Sequence, residues 1–139
     1  MRPRPRILIA LAIAVWFDCS ACVNRLPDQD RRITVTPAVA KMTAEDLWKD
    51  FQQDEAAART KYWGKAIEVS GRPSIAAGSG VGHQVFFAQT GSHGVQANLL
   101  DDEAKAIVAE VESGARIRLK CFCEGLDGNV VLKSCVRAE

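Results

Sequence analysis

Five cysteines, two histidines and a short row of cations are the side chains of this 139-residue chain whose types and spacing could do chemistry. Cys121, Cys123 and Cys135 fall close together near the end of the chain, apart from Cys19 and Cys22 near its start. Three neighbouring thiols suit a redox pair, a metal site or a structural bridge. A metal site needs about four ligands, and only His83 and His93 stand ready to complete one, both in loop-like text. A redox enzyme needs a low-pKa, accessible thiol, and nothing beside these cysteines supplies one. A bridge is the reading left, and its partner stays open. Strand alternation puts Ile117, Leu119, Cys121 and Cys123 on one face, whereas Cys135 shares parity with Lys133 and Arg137. A bulge or an uneven turn must bring the sulfurs together, with either Cys121 or Cys123 as the partner.

Arg116, Arg118 and Lys120 alternate along one predicted strand and share a face, which Phe122 continues. Single-stranded nucleic acid is held by such cations together with stacking aromatics, and Phe86 or Phe87 could supply a ring. Phe87, Arg116, Arg118 and Lys120 are therefore the candidate ligand face, against the plainer reading of a solvated strand, and the same cations would suit anionic lipid or glycan. The carboxylate pairs Asp101/Asp102 and Asp54/Glu55 lie at helix ends or on helix faces, where capping accounts for them. Gly78-Ser-Gly80-Val-Gly82 runs into a strand rather than a helix, so it is no phosphate loop. No nucleophile–base pair is found, and the sequence predicts neither catalytic residues nor a metal or cofactor.

The text before these residues says where they work. Met1–Arg6 carries three arginines and no acid, and Ile7–Phe17 is an unbroken apolar run. A helix needs about 20 apolar residues to span a bilayer, so this run is too short to do so. A basic start followed by such a run is the pattern of a secretory signal, here residues 1–21. Ser20-Ala21-Cys22 resembles the lipobox of bacterial lipoproteins, which implies cleavage before Cys22 and its acylation. Val23 rather than Asp follows it, which by that resemblance favours delivery to the outer membrane. Loss of Arg2, Arg4, Arg6 and Asp18 turns a formal charge of +1 into −1. A near-neutral domain neutralises phosphates poorly, so nucleic acid is not the expected partner.

Residues 22–42 are polar and broken by Pro27 and Pro37, and read as a flexible tether. Thr43-Ala-Glu-Asp46 resembles a capping box, and Leu47, Phe51 and the Ala56–Ala58 cluster follow at helical spacing, predicting a helix over 44–60. Strands are expected over 65–71, 84–89, 95–100, 115–123 and 130–137. A helix over 103–112, capped by Asp101 or Asp102, lies between the third and fourth, and Gly114 suits its left-handed stop. Gly125-Leu-Asp-Gly128 is the expected turn of the last hairpin. A helix between strands three and four of five is the OB arrangement, so 43–139 is predicted to be a mainly β, five-stranded OB barrel with an added N-terminal helix.

Residues 44–136 resemble the tRNA_anti-like OB-fold proteins of the bacterial envelope, many of them lipoproteins. The resembling stretches are Phe51-Gln-Gln-Asp-Glu-Ala-Ala-Ala58, Lys61-Tyr-Trp-Gly-Lys-Ala-Ile-Glu-Val-Ser-Gly71, Cys123-Glu-Gly125 and Val130-Val-Leu-Lys-Ser-Cys135. The resemblance implies a disulfide between Cys123 and Cys135. An OB-type barrel on a tether, with no nucleophile–base pair or ligand cluster, is expected to be a non-enzymatic binding or scaffold module on the periplasmic side of the envelope, membrane-anchored through Cys22, with an envelope protein or glycan as partner. OB barrels commonly bind through strands two and three and the adjoining loops, which points to 74–94. An oligonucleotide binder is the alternative reading, and a thiol-redox protein a more distant one.

Overall fold

The computed structural model describes residues 26–75 and 83–139. The predicted signal segment, Cys22 and most of the Gly-rich stretch after Ser74 lie outside them. Thr43 begins the first helices as its sequence predicts, its hydroxyl accepting from the Asp46 amide at 3.1 Å. The single helix expected over 44–60 is two, α1 (Ala44–Gln53) and α2 (Glu55–Tyr62). Asp54 separates them, because its extended backbone ends α1 while its carboxylate accepts from the Ala57 amide and caps α2. Leu47, Trp48, Phe51, Ala58 and Tyr62 bury the shared apolar face.

Among the described residues seven strands form one sheet: β1 (Lys41–Thr43), β2 (Ala66–Gly71), β3 (Ser74–Ile75), β4 (Gln84–Thr90), β5 (His93–Leu99), β6 (Ile117–Asp127) and β7 (Asn129–Arg137), in the order β1-β2-β6-β7-β5-β4-β3. Five of them carry the OB connections. β2 pairs antiparallel with β6, β6 with β7 and β4 with β5, while β5 and β7 are parallel. Helix α3 (Asp101–Glu112) lies between β5 and β6, and Gly114 follows it at φ 76°. The expectation of five strands is corrected. β1 adds a short strand beside β2, and β3, which follows β2 after only Arg72 and Pro73, pairs with β4 at the other end of the order, so the curled sheet has seven strands. The last hairpin also turns later than predicted, at Gly128, while Gly125 lies within β6 beside a register shift.

One face of the curl is the core. Val85 and Phe87 of β4, Val95, Ala97 and Leu99 of β5, and Val130 and Leu132 of β7 are all buried, and Ala104, Ile107 and Val111 of α3 cover them. Close approach is built in at Gly94, where a Cβ would meet the Phe87 carbonyl at 2.1 Å.

The largest departure from expectation is the tether. From residue 26 it is packed, not free, and crosses the outer face of β7, β6 and β2 as a strap. Ile33 is fully buried among Ala66, Leu100, Phe122 and Val136, with Leu26 beside it, in a second apolar cluster. The Val39 amide donates to Ala66 O, and β1 then runs parallel to β2. Strand pairing and an isoleucine pocket therefore order a segment whose prolines and charges suggested a linker.

Candidate functional site

The cysteines settle first. The disulfide joins Cys121 to Cys135, and Cys123 is a buried free thiol. This corrects the pairing of Cys123 with Cys135. The reason is one residue in β7. Ser134 adopts φ 55°, and the register shifts from Lys120↔Val136 to Phe122↔Lys133 around it. That extra residue swings Cys135 onto the inner face opposite Cys121, while Leu132 stands opposite Cys123. Burial pushes the Cys123 thiol up to about 12, so it stays neutral and unreactive.

The same bulge holds the strap. The buried Ser134 hydroxyl donates to Pro27 O at 3.1 Å and accepts from the Asp30 amide at 2.7 Å. Gln29 reaches α3: its Nε2 donates to Leu99 O and its Oε1 accepts from the Asp101 amide at 2.9 Å. Asp101 and Asp102 therefore do not cap α3 as predicted. They sit in its first turn, where acids favour the helix dipole, and the cap comes from a residue 72 positions away. Lys133 binds Asp28 of the strap and Glu124 of β6.

Beside the strap, the outer side of β4, β5, β7 and the end of β6 forms a cleft of about 700 Å³. Gln84, Gln96 and Asn98 project there between the buried Val85, Ala97 and Leu99. Gln96 donates to Asn98 Oδ1 at 3.3 Å. His83 lines one end. Asp28, Asp101, Glu124 and Asp127 outnumber Arg59 and Lys133 in the lining, so the cleft offers amides and carboxylates and holds little positive charge for a phosphate chain.

The predicted ligand face does not form as one unit. Phe87 is 2% exposed, lies in the core and packs toward Gly71, so its place on that face is corrected. Arg118 and Lys120 stand on the outer side of β6, with Arg116 just ahead of it. Arg116 donates to Ser70 Oγ at 3.4 Å and Lys120 to Thr34 O at 3.4 Å, while Arg118 pairs with Glu68 at 3.5 Å. Glu68 is itself buried and also faces Lys41. The basic row thus lies on the opposite side of the strap from the cleft. Sequence reasoning pointed to 74–94 as a binding region and touched the cleft at His83 and Gln84. It missed Gln96, Asn98 and Glu124, whose plain alternation in strands gave no signal of a shared site. No group of His, Cys, Asp and Glu suited to a metal occurs among the described residues.

A curled sheet with OB connections, a helix between its third and fourth OB strands and a polar cleft across its outer face defines an OB-type protein. The chain matches the tRNA_anti-like family over residues 4–136 and belongs to that family. No curated protein matches it. A solved structure from Klebsiella pneumoniae, described as a "putative nucleic acid-binding lipoprotein", superposes with a TM-score of 0.52 at 16% identity, covering 82% of this chain and all of that one. At that identity the likeness is one of fold.

Proposed function

We propose that this protein is a non-enzymatic binding module of the bacterial envelope, acylated at Cys22 and holding its partner in the cleft beside the strap. The observation that carries the reading is the cleft itself, which lies on the sheet face where OB proteins commonly take ligands and joins side chains from strap, sheet and α3. Family membership and the description of the Klebsiella protein as a lipoprotein support it. Clustered carboxamides and carboxylates are suited to hydroxyl and amide groups, which favours a glycan or a peptide segment over a polyanion. Val23 after Cys22, by resemblance to bacterial lipoproteins, supports delivery to the outer membrane.

Two experiments test it. Metabolic labelling with a palmitate analogue is expected to mark the wild-type chain and not Cys22→Ala; label retained in the variant overturns the anchor. A photoreactive residue at Gln96, in intact cells, is expected to capture an envelope protein or glycan, and capture of nucleic acid alone overturns the binding reading. The second reading, a single-strand binder, has Arg116, Arg118 and Lys120 in its favour, together with the nucleic acid binding ascribed to the Klebsiella protein. It requires affinity that falls steeply with salt, with a log–log slope of about −0.7 per phosphate.

A further inference from the structure

The described residues expose three large aliphatic side chains, and the two most exposed are both on the strap: Val35 at 81% and Val39 at 63%. They adjoin the basic row. Lys120 reaches the carbonyl of Thr34, next to Val35, and the Val39 amide is bonded to β2. From there Lys41 and Arg118 close on Glu68 from either side. Lys41 and Arg118 thus flank a carboxylate that is 7% exposed, Lys120 stands opposite it in the β2–β6 register, and Arg116 lies further along beside Ser70 and Glu45. The surface combines exposed aliphatic groups with outward cations.

We infer that this side of the strap rests on the bilayer, with Val35 and Val39 at the headgroup boundary and the four cations on anionic phospholipid. Charge complementarity is one argument, since cations beside a membrane attract acidic headgroups. Chain length is the other. Leu26 is packed in the strap's apolar cluster, and four residue steps from Cys22 span at most about 14 Å. A domain anchored there is held close to the surface, on the side of the sheet that the strap crosses. A nucleic acid strand is less well matched, because both exposed apolar groups are aliphatic and Phe122 is only 9% exposed, leaving no ring here on which bases stack. The inference rests on acylation at Cys22 for the orientation alone.

A benzophenone-bearing residue placed at Val39, or at the exposed Asp127 at the far end of β6, in the full-length chain in cells tests it. A phospholipid adduct, identified by mass, is expected from position 39 and absent from 127. In the position-39 chain, Arg116→Gln and Lys120→Gln are each expected to lower affinity for phosphatidylglycerol vesicles about fivefold while leaving the weaker binding to phosphatidylcholine unchanged. No lipid adduct at 39, equal adducts at both positions, or capture of nucleic acid or protein at 39 overturns the inference. Palmitate labelling separates it from the anchor: lipid captured at Val39 in an unacylated chain leaves the surface standing, and an acylated chain that captures none removes the surface alone.

Discussion

Ser134 and Cys123 show how far single residues decide this molecule. Ser134 takes a positive φ without being glycine, and its hydroxyl is bonded on both sides. The bulge it makes selects Cys121 as the partner of Cys135. Mass mapping under non-reducing conditions is expected to find those two peptides joined, with Cys123 alkylated only after unfolding; a Cys123–Cys135 peptide refutes this. Replacing Cys121 and Cys135 together by Ala is expected to lower stability by about 3 kcal/mol, the chain-entropy value for a closed loop of this size. Cys123 gives a pH signature. Its folded value is raised from 9.0 to about 12, so between those limits the unfolded chain has released a proton that the folded chain keeps. Stability therefore falls as pH rises through that window, by about 1.4 kcal/mol per unit at most, and is unaffected below it. Denaturant titrations are expected to show this component lost in Cys123→Val, so that an identical slope in both proteins refutes the assignment. Tyr62, which burial also raises, contributes equally to both and drops out of the comparison.

The strap is the element that unites the rest. It plugs Ile33 into the second cluster, caps α3 through Gln29 and adds β1 to the sheet. Ile33→Ala is expected to cost about 2–5 kcal/mol, and Ser134→Ala about 1–3 kcal/mol by leaving Pro27 O and the Asp30 amide without that partner; thermal unfolding measures both, and a change near zero in either removes the strap from the folded unit. Little of this was legible in the sequence. Helices and OB strands announce themselves by local period, and Thr43 and Gly114 behave as their types dictate. The strap depends on partners about 70 to 107 residues away, and its only local sign was Ile33 among charges. The break at Asp54 was missed because an aspartate that caps one helix can equally sit on the surface of a longer one. Strand parity located the need for a bulge, but not its position at Ser134. The cleft escaped because its residues come from the strap, α2, α3 and four strands and none is unusual alone, whereas the row Arg116, Arg118 and Lys120 was visible from alternation along one stretch of chain.

Across the whole molecule the strap divides the outer surface into an amide and carboxylate cleft on one side and a basic, valine-bearing surface on the other. Deleting residues 1–42 removes Ile33, the Gln29 cap and most of β1 together. A fragment 43–139 is expected to melt well below a chain that keeps residues 26–42 and to expose Phe122 and Val136 to an apolar dye; equal melting temperatures refute this. Binding of a neutral glycan or peptide segment in the cleft is expected to vary little with salt, because hydroxyl and amide groups carry no charge to be screened, and calorimetry of any captured ligand at two ionic strengths checks it. The bulge also sets a timetable. Ser134 stands in β7, and the Pro27 carbonyl to which its hydroxyl donates lies 107 residues earlier. In a chain threaded outward from its N-terminus, Pro27 and Asp30 emerge long before the strand that holds them exists. If Cys22 is processed during export, as proposed, the enzyme is expected to meet a segment not yet docked.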